Sequence, residues 1–263
     1  MALSNVITGS DAARPAPAVR RIDDGDLAAA LREGWEDFSA MPSHAVFLVL
    51  IYPVVGLLLG RLVYGAEILP LLFPLMAGFA LIGPLAALGL YELSRRRERG
   101  LDTAAYHALA IRHSPSFGAI LALGLILMVV FLCWIAVAQS IYVAAFGYAP
   151  AASIPDFLGR VFGTPQGRWM ILVGNLVGFL FALFVLTVSV VSFPLLLDRD
   201  VGAGVAVLTS IRAVAANPGP MALWGLIVAT SLVLGSIPFF LGLAIVMPVL
   251  GHATWHLYRK VVV

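Results

Sequence analysis

Two histidines four residues apart, His252 and His256 in the segment GHATWHLYRK, are the strongest hint of chemistry in this 263-residue sequence. Residues at i and i+4 share one helical face, which is the spacing two metal ligands use. No Glu stands between them, so the zinc-protease pattern fails. Their neighbours Trp255, Tyr258, Arg259 and Lys260 are instead the company of an interfacial aromatic and basic anchor. A haem held between helices would want one histidine on each of two facing spans, and His44 is the nearest candidate partner. The reading is therefore a hydrated anchor, with no catalytic, cofactor-binding or metal residues and no cofactor expected. Elsewhere the apolar stretches lack Asp, Glu, Lys, Arg and His in their cores, which argues against ion-coupled transport. Gln139 and Asn175 are the strong polar groups at depth, expected to hydrogen-bond between helices, and Cys133 reads as a small core hydrophobe. No serine, histidine and acid constellation stands at a plausible catalytic depth, so the chain is not expected to be an enzyme.

The elements that would position these residues follow from composition. Apolar residues make up 61% of the chain and charged residues 11%, with a mean hydropathy of +1.00, whereas soluble domains carry about 25% charged residues. Stretches 44–64, 69–91, 117–142 and 170–196 each suffice for a membrane span of about 20 residues. A last apolar stretch, Met221 to about Tyr258, is too long for one span and is expected to break at Gly235-Ser236-Ile237-Pro238, into helices near 220–236 and 238–258. With six spans, 13 of the 16 basic residues fall inside and 3 outside (Arg61, Arg160 and Arg168), as basic loop residues require. Both termini are then cytoplasmic. The first 40 residues contain no apolar signal-peptide core, so residues 1–22 are expected as a disordered cytoplasmic tail and 23–263 as one transmembrane helical domain. The arginine run RRRERG at 95–100 suits anionic lipid, and equally topology alone; nucleic-acid binding is not expected.

A threefold pattern runs through the chain. Pro42, Pro115 and Pro218 each follow a short amphipathic stretch and precede a hairpin of two spans. At −4, −7 and −11 from each proline stand Phe38, Trp35 and Leu31, then Ile111, Ala108 and Ala104, then Val214, Ile211 and Val207. Steps of three and four put each apolar trio on one helical stripe, suited to the membrane surface or the bundle. Because the residue before a proline avoids the α region, these helices should end near Met41, Ser114 and Asn217. The fold class is thus an all-α polytopic transmembrane bundle, six spans as three hairpins, each preceded by an interfacial amphipathic helix. Gly60, Gly78 and Gly83 are the residues expected to let helices approach closely.

The six spans, the polar tail ahead of GWEDF, the RRRERGL segment and the closing GHATWHLYRK resemble a family of predicted bacterial integral membrane proteins of unknown function. Some members of that family are labelled cytochrome c oxidase subunit I-like. The label cannot be literal here, because a catalytic oxidase subunit binds its haems and copper through histidines within spans. The resemblance implies a multi-pass protein of the bacterial inner membrane, with the lipid bilayer, another membrane protein and a respiratory or photosynthetic complex as candidate partners. The expected role is a non-catalytic accessory, assembly or scaffold component; the alternatives are a passive or weakly selective permease and a haem or metal binder using His252 and His256.

Overall fold

The computed structural model describes residues 17–41, 74, 75, 78, 81, 83–148, 153–237 and 242–263. The described residues form helices and one isolated antiparallel bridge, Val19 to Val262. In chain order the helices are α1 Asp24–Ala40, α2 Leu88–Glu98, a 3₁₀ helix Ala105–His113, α3 Phe117–Phe146, α4 Ile154–Gly163, α5 Pro165–Ser189, α6 Ser192–Asp198, α7 Gly202–Ala216, α8 Pro218–Ser236 and α9 Leu243–Val261. A short helical turn, Gly83–Ala86, precedes α2. Three stretches among the described residues are long and apolar enough to cross a membrane: Phe117–Phe146, Pro165–Asp198 and Pro218–Ser236. The expected first span, 44–64, and ten residues of the second, 69–91, lie outside the described residues. The expected break also appears, since α8 ends at Ser236 and α9 begins at Leu243.

Contacts divide the chain into two compact units. The first comprises residues 1–54, 84–124 and 186–263, and the second 55–83 and 125–185. In the second unit Trp134 of α3 is the central ring: its indole Nε1 donates to the Pro74 carbonyl at 2.8 Å, and it tilts against Phe181 of α5 at 5.6 Å. Gly178 leaves room for that ring, since a Cβ there would come within 3.1 Å of it. Gly78 is equally hemmed in, by Phe131 and Trp134, whereas Gly83 faces open space and Gly60 lies outside the described residues.

Three expectations about polar and small residues are corrected. Asn175 turns back on its own helix and donates to the Ile171 carbonyl at 2.7 Å. Gln139 is exposed and hydrogen-bonds to no described residue. Cys133 is exposed on α3 instead of packed in a core. In each case the hydropathy of a span says that a residue lies at membrane depth, but not which way its helix is turned.

In the first unit the proline junctions fall where local sterics put them. α1 ends at Ala40, the 3₁₀ helix at His113 and α7 at Ala216, with Met41, Ser114 and Asn217 as their caps and Pro218 opening α8. Pro42 itself lies outside the described residues. The stripe that each helix buries differs from the apolar trio. In α1 it is Leu27, Ala30, Gly34 and Asp37, and in α7 it includes Ala206, Ser210 and Ala213. Counted from Pro42 and Pro218, Ala30, Gly34 and Asp37 fall at the same −12, −8 and −5 as Ala206, Ser210 and Ala213, so the first and third junctions are equivalent in burial. The trio residues at −7, Trp35 and Ile211, stay 52% and 40% exposed. The middle junction departs because a 3₁₀ helix repeats every three residues, and it buries none of its own residues.

Residues 17–22, expected as part of a disordered tail, are docked. Arg20 N donates to the Val261 carbonyl at 2.8 Å and Val263 N to the Ala18 carbonyl at 3.0 Å, flanking the Val19–Val262 bridge. Asn217 clasps the same strand, accepting from Ile22 N at 2.8 Å and donating to the Arg20 carbonyl at 3.0 Å.

Candidate functional site

Among the described residues, ionisable and hydrogen-bonding side chains gather around His252 and His256 where α1, α2 and α9 meet, all within the first unit. The cluster begins with helix geometry. Glu33 and Asp37 are one turn apart on α1, and His252, His256 and Lys260 occupy successive turns of α9. Side chains at i and i+4 stack along one face, so an acid ladder meets a basic ladder running the opposite way. Asp37 accepts from His256 Nε2 at 2.8 Å; Glu33 lies 3.2 Å from His256 Nδ1 and accepts from Lys260 Nζ at 2.8 Å. At the centre of the crossing Gly34 lies against Ala253, where a Cβ on Gly34 would come within 2.6 Å of the Ala253 nitrogen.

α2 closes the centre. Ser94 Oγ donates to Asp37 Oδ2 at 2.5 Å and stands 2.7 Å from His252 Nδ1. Arg97 pairs with the other carboxylate oxygen of Asp37. Glu98 accepts from the Trp255 indole at 3.1 Å and from Arg259 Nε at 3.0 Å. From the end of α6, Asp198 accepts from the Tyr258 hydroxyl at 2.8 Å and from Arg99 at 2.9 Å. Burial by itself would raise the Asp37 pKa, but the hydrogen bonds from His256, Ser94 and Arg97 outweigh it and hold the carboxyl down to about 2.

Ser94, His252 and Asp37 therefore form a serine, histidine and acid cluster that the sequence reading did not find. Its order is wrong for a nucleophile. In a catalytic triad the histidine stands between serine and acid and takes the serine proton. Here serine is in the middle: its hydrogen goes to Asp37, so His252 Nδ1 must carry a hydrogen and donate to Ser94 Oγ. The serine faces no base, and Asp37, Ser94 and His252 are 3%, 1% and 1% exposed. On the open side, Glu33, Glu36, Asp37, Arg97, Glu98 and His256 line a depression of about 340 Å³. The bases that already hold Glu33, Asp37 and Glu98 leave it no unpaired set of acids. Among the described residues no three His, Cys, Asp or Glu side chains converge on a point that could hold a metal ion.

The hydrated-anchor reading of the histidines is thus corrected. His252, Trp255 and Tyr258 are buried within the first unit because α9 turns its polar face to α1 and α2. His107 pairs with Asp102 at 2.9 Å, His113 is exposed, and His44 lies outside the described residues. The residues missed were Glu33, Asp37, Ser94, Arg97 and Glu98. The available signal was the complementary spacing of 33 and 37 with 252, 256 and 260. The arginines of RRRERG at 95–100 have partners within the chain: Arg95 pairs with Glu92 at 2.7 Å and Arg96 donates to the Asp102 carbonyl at 2.6 Å, beside the pairs of Arg97 and Arg99.

An all-helical protein with several apolar helices and a polar centre whose groups are matched helix to helix is an integral membrane protein. Over residues 72–198 the chain matches the family model described as "Predicted integral membrane protein (DUF2189)". That is a family of membrane proteins of unknown function, as the resemblance of the sequence implies. No curated protein and no solved structure matches the chain.

Proposed function

We propose that this protein is a non-catalytic accessory, assembly or scaffold component of a complex in the bacterial inner membrane. The observation that carries the reading is the polar centre of α1, α2 and α9. A binding or catalytic site keeps convergent polar groups turned toward an open pocket, whereas these groups face one another and are consumed in joining helices. Removing so many charges from water is costly unless each is paired. The return on that cost is a defined helix arrangement, which is what a docking component needs. The test is purification of the full chain from native membranes in mild detergent. A stoichiometric membrane-protein partner is the expected result. A monodisperse lone protomer overturns it, and a bound metal or Soret band would favour a cofactor role for the histidines.

The reading includes six spans with both ends cytoplasmic. The Val19–Val262 pairing supports it, since two segments that hydrogen-bond to each other lie on one side of a membrane. The pairing thus supports an even number of crossings, six in preference to five. Reporter fusions at Val263 and after Arg99 are expected to give the cytoplasmic signal, and fusions near Pro155 the periplasmic one. A periplasmic signal at Val263 would end this topology.

A further inference from the structure

Among the described residues, eight of the eleven arginines of the first unit are held by an acid or a carbonyl, and Arg21, Arg112 and Arg212 are not. Arg20, Arg95, Arg97, Arg99 and Arg259 pair with Asp26, Glu92, Asp37, Asp198 and Glu98. Two that stand directly ahead of spans differ. Arg112, at the end of the 3₁₀ helix, and Arg212 of α7 are exposed and make no hydrogen bond or ion pair with any described residue.

Each shares a row with exposed apolar side chains. The 3₁₀ helix turns every three residues, which aligns Tyr106, Leu109 and Arg112; the first two are 67% and 62% exposed. On α7 Leu208 lies one turn before Arg212 and Ile211 beside it, 45% and 40% exposed. Neither helix contains an acidic residue. Asp102, just ahead of the 3₁₀ helix, is engaged by Ala104 N, the Tyr106 hydroxyl and His107. Both helices stop at a proline junction and run within a few residues into a span, α3 and α8. An apolar row carrying one cation at the mouth of a span is the pattern of a helix that sinks its apolar side chains among acyl chains and extends its charge to the headgroups. α1 supplies the contrast: its exposed Trp35 is accompanied by Arg32, but Glu36 lies 3.7 Å from that guanidinium and offsets it.

We propose that the 3₁₀ helix and α7 bind the headgroups of anionic phospholipids at the membrane surface, with Arg112 and Arg212 as the phosphate-binding residues. The proposal stands on residues outside the polar centre and does not depend on the scaffold reading. One basic residue beside an anionic leaflet changes lipid affinity by about fivefold.

The test is native mass spectrometry of the full chain in detergent with equimolar phosphatidylglycerol and phosphatidylcholine of matched acyl chains. The wild-type chain is expected to retain phosphatidylglycerol in excess. The double variant Arg112→Gln with Arg212→Gln is expected to lose that excess by at least about fivefold, and Arg32→Gln to keep it. Should the double variant not insert, each single variant carries the same test with a smaller loss. A wild-type chain with no preference, a double variant that keeps it, an equal loss in Arg32→Gln, or displacement of the lipid by inorganic phosphate would each overturn the proposal.

Discussion

Asp37→Asn is expected to lower the unfolding free energy of the purified chain by about 3 kcal/mol. Asparagine keeps the shape of the side chain but removes the charge that Arg97, His256 and Ser94 converge upon. Stripping one partner from a buried pair costs about 3–5 kcal/mol. The lower end applies because the Arg97 side chain is 41% exposed and regains water when its partner is lost. The same residue sets an acid limit. Its carboxyl is held from 3.8 down to about 2 in the folded chain, so it binds its proton more readily once unfolded. The stabilisation, about 2 kcal/mol, is complete above about pH 4 and is lost as the pH falls toward 2. Denaturant unfolding followed through tryptophan fluorescence, repeated across that window, measures both effects. A variant within about 0.5 kcal/mol of wild type, or one that keeps the full acid dependence, would show that Asp37 does not hold the centre.

Gly34→Ala is expected to destabilise by about 3 kcal/mol, even though alanine is the better helix former by about 1 kcal/mol. Geometry decides between these opposing effects. The added methyl would sit 2.6 Å from the Ala253 nitrogen and 2.7 Å from its Cα and Cβ, and backbone cannot turn aside. α1 would have to move off α9, stretching the ladder from Glu33 and Asp37 to His256 and Lys260. Two companions sharpen the measurement. Ala253→Gly should not rescue, because the nitrogen and Cα that block the methyl remain. Gly251→Ala should cost less than Gly34→Ala, since its methyl meets the Cδ1 of Leu90 at 2.5 Å, a side-chain end able to turn aside, with the Leu90 Cβ at 3.2 Å in place of a backbone nitrogen at 2.6 Å. Thermal unfolding in one detergent ranks the three, and a neutral Gly34→Ala would mean that the two helices do not approach so closely.

The sequence by itself determined what is local. Hydropathy over some twenty residues located α3, α5 and α8, and proline sterics ended the helices at Met41, Ser114 and Asn217. The break ahead of α9 was legible for the same reason, since each depends on neighbours within a turn or two. Tertiary structure alone decided which faces meet. Pairing Asp37 with His256 joins residues 219 apart, and no single segment contains that information. It also decided the phase of burial. In water an apolar stripe marks the side of a helix that packs on protein, whereas the trio Leu31, Trp35 and Phe38 suits the membrane surface as well as the bundle. In a protein whose spans lie in a bilayer that logic weakens, because lipid accepts apolar side chains as readily as protein does. α1 leaves Trp35 exposed and packs instead through Ala30, Gly34 and Asp37, where a small residue permits close approach and a charge finds its partner.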